Sequence, residues 1–166
     1  MKTEIALLFF AISQILNGQN ITSLKLRSYS KPIVKAEVNG KNAYFLIDTG
    51  SSISLINGSD LKKYKIESLS KRNRMKAVGF NGTREWIQMV NNTELTLGEY
   101  FGYRKLYSMN LDPIAQSIYA ETKIRIAGIL GADFLQEHNC IIDYGQRYLI
   151  ISDDKSYKEF LAGTFE

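Results

Sequence analysis

Between Ile33 and Ile47 the chain is committed to a hairpin. Val34, Ala36 and Val38 alternate with Lys35 and Glu37, Asn39-Gly40 follows, and Lys41 to Ile47 returns. A period of two puts every second side chain on one face, as a strand with one buried face requires. A two-residue connection between such strands needs positive φ at both central positions, which Asn and Gly tolerate and most residues resist. The return strand is apolar at nearly every position from Ala43, so it is expected to be buried on both faces.

The same pattern continues along the chain. Ser54-Leu55-Ile56 reads as a short strand closed by Asn57-Gly58, with a single helical turn expected over 60–64. Residues 68–74 are polar, carry Lys71, Arg72 and Arg74, and read as a solvated connection. Residues 75–90 read as a long hairpin with Gly79-Phe80-Asn81-Gly82 at its tip, and strands are expected at 93–97 and 103–109. Asp112-Pro113 has the chemistry of a helix start, Asp as cap and Pro in the first turn, for a helix reaching about Glu121. Residues 124–130 read as an apolar strand interrupted by Ala127-Gly128, residues 131–138 as a short helix stopped by Asn139. Segments 140–144 and 147–151 read as a last hairpin about Gly145-Gln146. With ten Tyr, eight Phe and only two Pro, the composition leans toward strands. No repeat or second boundary is visible, so residues 19–166 are read as one mainly β, barrel-like domain with two or three short helices.

Composition excludes several chemistries. A single cysteine leaves no internal disulfide framework or Cys-rich metal site, and a single histidine leaves no His cluster for zinc or iron. A Ser-His-Asp or Cys-His enzyme would have to use His138. The net charge of +4 is spread along the chain, so nucleic acid is not an expected partner. Residues 1–18 differ from the rest: Lys2 precedes the apolar run Ile5-Ala6-Leu7-Leu8-Phe9-Phe10-Ala11-Ile12. That run falls short of the about 20 apolar residues a membrane span needs, and it suits the core of a signal peptide. On that reading the protein is exported, periplasmic or secreted. Read instead as an apolar segment packed on the domain, the same run leaves it cytoplasmic. Asn-X-Ser/Thr sequons begin at Asn20, Asn57, Asn81 and Asn91, and carry sugar only in a secreted eukaryotic protein.

The stretch that carries chemistry is Phe45-Leu46-Ile47-Asp48-Thr49-Gly50-Ser51-Ser52. A carboxylate stands where an apolar strand enters a glycine-containing turn, and burial there disfavours its charged form unless partners compensate. Thr49 offers a hydroxyl, and Gly50 lets backbone approach the carboxylate closely. About 80 residues later comes Ile126-Ala127-Gly128-Ile129-Leu130-Gly131, followed by the short helix and the final strand pair. Asp133 at that helix start is expected to interact with the helix dipole. Trp86 is expected in the core or a cleft wall, Cys140 as a small buried hydrophobe, and His138 as structural.

In this order the parts resemble the retropepsin-like aspartic proteases: Asp48-Thr49-Gly50 after an apolar strand, a flap hairpin about residues 79–82, then Ile129-Leu130-Gly131 before a helix. The resemblance covers about residues 33–151 and is nearest to small bacterial members, in which a segment like Gly128 to Leu135 precedes one like Ile142-Asp143-Tyr144. It implies a retropepsin-like closed β-barrel and an endopeptidase without metal or cofactor, in which two aspartates share one proton. Because the chain has one Asp-Thr-Gly, it further implies a homodimer giving one Asp48 per subunit. Thr49 would brace the paired loops, Gly50 would lie against the carboxylates, and Ser51 would bond the outer oxygen of Asp48. Gly79, Phe80, Asn81 and Gly82 would form the flap tip, and Ile129, Leu130 and Gly131 would pack the active-site loop. The partner would be a peptide or protein substrate, cut by the enzyme or, alternatively, gripped uncut by a binding module of the same fold.

Overall fold

The computed structural model of the protein describes residues 21–68, 74–78, 82, 84–91, 93–103 and 105–152. The expected leader over 1–18, the sequons at Asn20 and Asn81, the tip residues Gly79, Phe80 and Asn81, and the polar residues 69–73 lie outside these.

The expected mainly β fold is the fold of the chain. Its strands are β1 (Ile21–Lys25), β2 (Ile33–Val38), β3 (Lys41–Ile47), β4 (Leu55–Asn57), β5 (Glu67–Ser68), β6 (Arg74–Val78), β7 (Arg84–Asn91), β8 (Leu95–Leu97), β9 (Tyr100–Tyr103), β10 (Tyr107–Met109), β11 (Gly128–Leu130), β12 (Ile141–Asp143) and β13 (Tyr148–Ser152). Among the described residues two α-helices interrupt them, α1 (Asp112–Thr122) and α2 (Ala132–Glu137). The hairpin read from residues 33–47 is β2–β3, and Asn39 (φ 49°) and Gly40 (φ 73°) take the two positive angles its turn requires. β6 and β7 form the long hairpin, in register from Arg74↔Gln88 to Val78↔Arg84, and β12 and β13 form the last one. The region expected as one strand over 103–109 is divided between β9 and β10, because Tyr103 belongs to the hairpin β8–β9 while Tyr107 to Met109 pairs with β4 and β7.

The larger sheet curls into a half-barrel with strand order β5-β7-β10-β4-β11-β3-β2-β8-β9, β6 lying on β7. A second sheet runs β1-β13-β12. One feature of this order places the site. Although β3 and β4 follow each other in sequence, β11 lies between them, parallel to β3 and antiparallel to β4. The loop 48–54 must therefore arch over the end of β11. Successive residues of the three strands supply two apolar layers. Phe45, Ile47, Ile56 and Leu130 enter one, while Leu55 and Ile129 enter the other, with Leu46 packed against it. β3 is fully buried on one face and half-buried on the other, where Tyr44 and Leu46 stand. Helix α2 adds Phe134 and Leu135 to the first layer, and α1 adds Ala115 and Ile118 to the second.

Asp112 does not cap α1. The N-cap is Leu111, without a side-chain bond, and the Asp112 carboxylate accepts from Asn57 Nδ2 (2.8 Å) and from the Ser59 hydroxyl. These bonds hold its carboxyl below the usual carboxylate range, the Ser59 bond foremost. Asn57 is fully buried and also accepts from the Leu111 amide, so its sequon side chain has no room for sugar; Asn91 is exposed. Trp86, expected in the core or a cleft wall, stands 56% exposed on β7 with the Lys76 ammonium 5.0 Å from its ring centre. An ammonium over a tryptophan face is favourable in water, which suits the pair to a hairpin surface.

Candidate active site

Parallel pairing of Ile47 with Leu130 brings the ends of β3 and β11 side by side, with Asp48 next after one and Gly131 next after the other. Asp48 closes this edge by donating its amide to the Leu130 carbonyl at 3.0 Å. Its side chain is half-exposed, and Thr49 and Gly50 are exposed, so the carboxylate stands at the surface of the single chain rather than inside it. The burial expected for it from the apolar run stops at Ile47. The Gly50 amide donates to Asp48 Oδ1 at 2.9 Å, and a Cβ on Gly50 would lie 3.2 Å from that oxygen. A small residue here keeps the turn closed on the carboxylate.

The Ser51 hydroxyl, expected on the outer oxygen of Asp48, turns the other way and donates to the Ile53 carbonyl at 2.7 Å. The arch over β11 explains this, because the chain reverses within residues 51–53 and that carbonyl needs a donor. Beneath the arch the fit is tight. A Cβ on Gly131 would meet the Ile53 carbonyl oxygen at 2.4 Å and the Ser51 carbonyl oxygen at 2.8 Å. A Cβ on Gly128 would meet the Leu55 oxygen at 2.2 Å and the Phe45 ring at 2.4 Å. Both glycines are thus demanded by space. The Ala132 amide completes the tie from β11–α2 to the arch by donating to the Ser51 oxygen at 2.7 Å.

Two residues in this framework were read from the sequence only as parts of strands, with no role at the site. Ser54, fully buried, accepts from the Gly131 amide (3.0 Å) and donates its hydroxyl to Asp133 Oδ1 (2.7 Å), while its amide donates to Asp133 Oδ2 (2.9 Å). Tyr103 donates to the same Oδ2 at 3.1 Å. Burial foremost, then the Asp133 charge, hold the Tyr103 phenol above its usual value, so it stays a protonated donor. Asp133 was expected only beside a helix dipole; it does accept from the Phe134 amide, but most of its bonds leave the helix. A serine inside the apolar run Ile53 to Ile56 was the one available signal; for Tyr103 there was none.

His138 stacks among Tyr100, Tyr103 and Phe134, with the Tyr100 hydroxyl 3.0 Å from Nε2. Burial pushes its imidazole below its usual value. Cys140 is half-buried, and burial pushes its thiol up to about 12. Among the described residues no group of three or more His, Cys, Asp or Glu side chains is placed to hold a metal ion, and no helix is long and apolar enough to cross a membrane. The expected flap strands are β6 and β7; at their tip Gly82 has φ 76°, and the other three residues lie outside the described ones.

A family model for aspartyl proteases matches residues 34–134, from the first strand of the hairpin through the start of α2. The chain belongs to the aspartyl protease family. Among solved structures it is similar to a retropepsin-like aspartic protease from Rickettsia conorii, at 17% identity and TM-score 0.49 over 81% of this chain and 90% of that one. It is similar also to the retroviral protease-like domain of Ddi1 from Leishmania major, at 19% identity and TM-score 0.48 over 72% and 86%. A third is EIAV protease complexed with the inhibitor HBY-793, at 18% identity and TM-score 0.43 over 64% and 86%. No curated protein matches the chain. The family assignment rests on the family match, and the position of β11 between β3 and β4 gives this aspartyl protease family member its exposed Asp-Thr-Gly edge.

Proposed function

We propose that the chain is an aspartic endopeptidase working as a symmetric homodimer. The observation that carries the proposal is the outward presentation of Asp48: a carboxylate with one oxygen held by the Gly50 amide, on an edge where Thr49 and Gly50 are exposed. One carboxylate alone is a poor hydrolase, since peptide hydrolysis needs a base for water and an acid for the carbonyl oxygen at once. A twofold axis beside Asp48 would supply both from identical residues. Two carboxylates a few Å apart cannot both ionise, so the pair holds one proton and titrates as a unit. The charged member takes a proton from water as it attacks the scissile carbonyl, and the protonated member donates to the carbonyl oxygen. Thr49 and Gly50 would face their counterparts across the axis. The β6–β7 hairpin would cover an extended peptide lying along this edge.

Mass-spectrometric profiling of a mixed peptide library from about pH 3 to about pH 8 tests the proposal, comparing the chain from Gln19 with its Asp48→Asn variant. Cuts made by the unmutated chain and lost in the variant are expected. Equal cutting by both would end the proposal. A folded dimer that retains peptides uncut would point to a binding module.

A further inference from the structure

We propose that Asp133 is a positioning residue for Asp48, acting through Ser54; the assignment rests on the endopeptidase reading above. The arch from Asp48 to Ser54 is tied to β11–α2 by five hydrogen bonds. Two are backbone to backbone, Asp48 to Leu130 and Ala132 to Ser51, and involve no side-chain atom. The other three run through the Ser54 and Asp133 side chains: Gly131 amide to Ser54 hydroxyl, Ser54 hydroxyl to Oδ1, and Ser54 amide to Oδ2. They form one device. A hydroxyl has a single proton, and Asp133 Oδ1 claims it, which turns a lone pair of Ser54 toward the Gly131 amide. The carboxylate therefore sets the hydroxyl orientation that seats Gly131 under the arch, and Gly131 lies next to the Leu130 carbonyl that holds the Asp48 amide. Tyr103 braces Oδ2 from β9, so the carboxylate is held from the β8–β9 hairpin as well as from its own helix.

Two acceptor oxygens are required here rather than any polar group of that shape. Each oxygen faces a backbone N–H, Phe134 on Oδ1 and Ser54 on Oδ2. An asparagine at 133 offers one oxygen and one NH2, so either orientation of the amide sets a donor against one of those N–H groups. The conflict is relieved by moving the arch or the start of α2. A displacement near 1 Å at a reacting group costs about 10²-fold in rate even when the mutated residue never meets substrate.

The test is Asp133→Asn in the full chain, with turnover of a peptide identified by the profiling above and amide hydrogen exchange of residues 49–54 measured without peptide. The proposal expects a folded protein with kcat lowered by about 10²-fold, KM unchanged, and faster exchange at the arch. Ser54→Ala should show the same pattern more weakly, and the two losses should not add in the double variant, because both break one bridge. Asn57→Ala, a destabilising change at the far end of β4, should leave kcat alone, separating positioning from loss of stability. A folded Asp133→Asn protein with wild-type kcat, or with raised KM and unchanged kcat, overturns the proposal. If that variant does not fold, Ser54→Ala decides on the same readouts. If the unmutated chain cuts nothing, the endopeptidase reading fails, and unchanged exchange in Asp133→Asn would separately remove the positioning role.

Discussion

Gly131→Ala isolates the steric demand of the arch. Gly131 has φ −94° and ψ −175°, extended backbone open to alanine, so no strain arises from its own dihedral angles. The added methyl would stand 2.4 Å from the Ile53 oxygen, 2.6 Å from the Ile53 carbonyl carbon and 2.8 Å from the Ser51 oxygen. Ordinary contact begins at 3.4 Å, and close-packed surroundings leave no slack, so the Ile53 carbonyl must move by about 1 Å. Overpacking of this kind costs about 1–3 kcal/mol. The same movement pulls the Ser51 oxygen from the Ala132 amide, a bond worth about 1 kcal/mol. The expected loss is therefore about 2–4 kcal/mol, read as a lowered urea midpoint by circular dichroism at unchanged m. Gly145→Ala is the control: its methyl would meet only Asp143 Oδ1, at 3.4 Å, and it should stay within about 0.5 kcal/mol of wild type. A Gly131→Ala midpoint as close to wild type as the control's would refute the argument, since the arch would then have room for the side chain.

Two further predictions concern stability away from Asp48. Because burial depresses the His138 pKa in the folded chain, the unfolded chain binds more protons just below the ordinary value of 6.5. Stability should be full above that pH, fall as pH drops through it, and level off below the folded value. In urea melts across this window the slope should vanish in His138→Gln, and a slope that survives would assign it elsewhere; the Asp112 contribution lies lower, below 3.8. Asn57→Ala strands the buried Leu111 amide and takes a donor from Asp112, so it should cost about 2 kcal/mol in the same assay. An unchanged midpoint would mean that these groups find other partners.

The local elements were legible in the sequence because local chemistry dictates them. Alternation in residues 33–38 and the positive-φ tolerance of Asn39-Gly40 are enough to make β2–β3, and the apolar run into Asp48-Thr49-Gly50 is enough to end a strand on a carboxylate. The order of that motif and Ile129-Leu130-Gly131 along the chain was also legible, as a resemblance. What lies between elements was not. No local signal says that β11 enters between β3 and β4, yet that insertion turns Ser51 toward Ile53, fills the space above Gly131 with backbone, and ends the burial of Asp48 at the strand's last residue. Asn57 and Asp112 each look like local turn or cap residues, and over 54 intervening positions the fold spends them on each other. Trp86 reads as core or cleft wall, yet its side chain stands exposed on β7. Sequence determined the strands, the turns and the identity of the candidate carboxylate, since dihedral preference and hydrophobic period act over a few residues. Tertiary structure decided which polar groups meet behind that carboxylate, because a hydrogen bond such as Ser54 to Asp133 forms only after distant strands have been packed side by side.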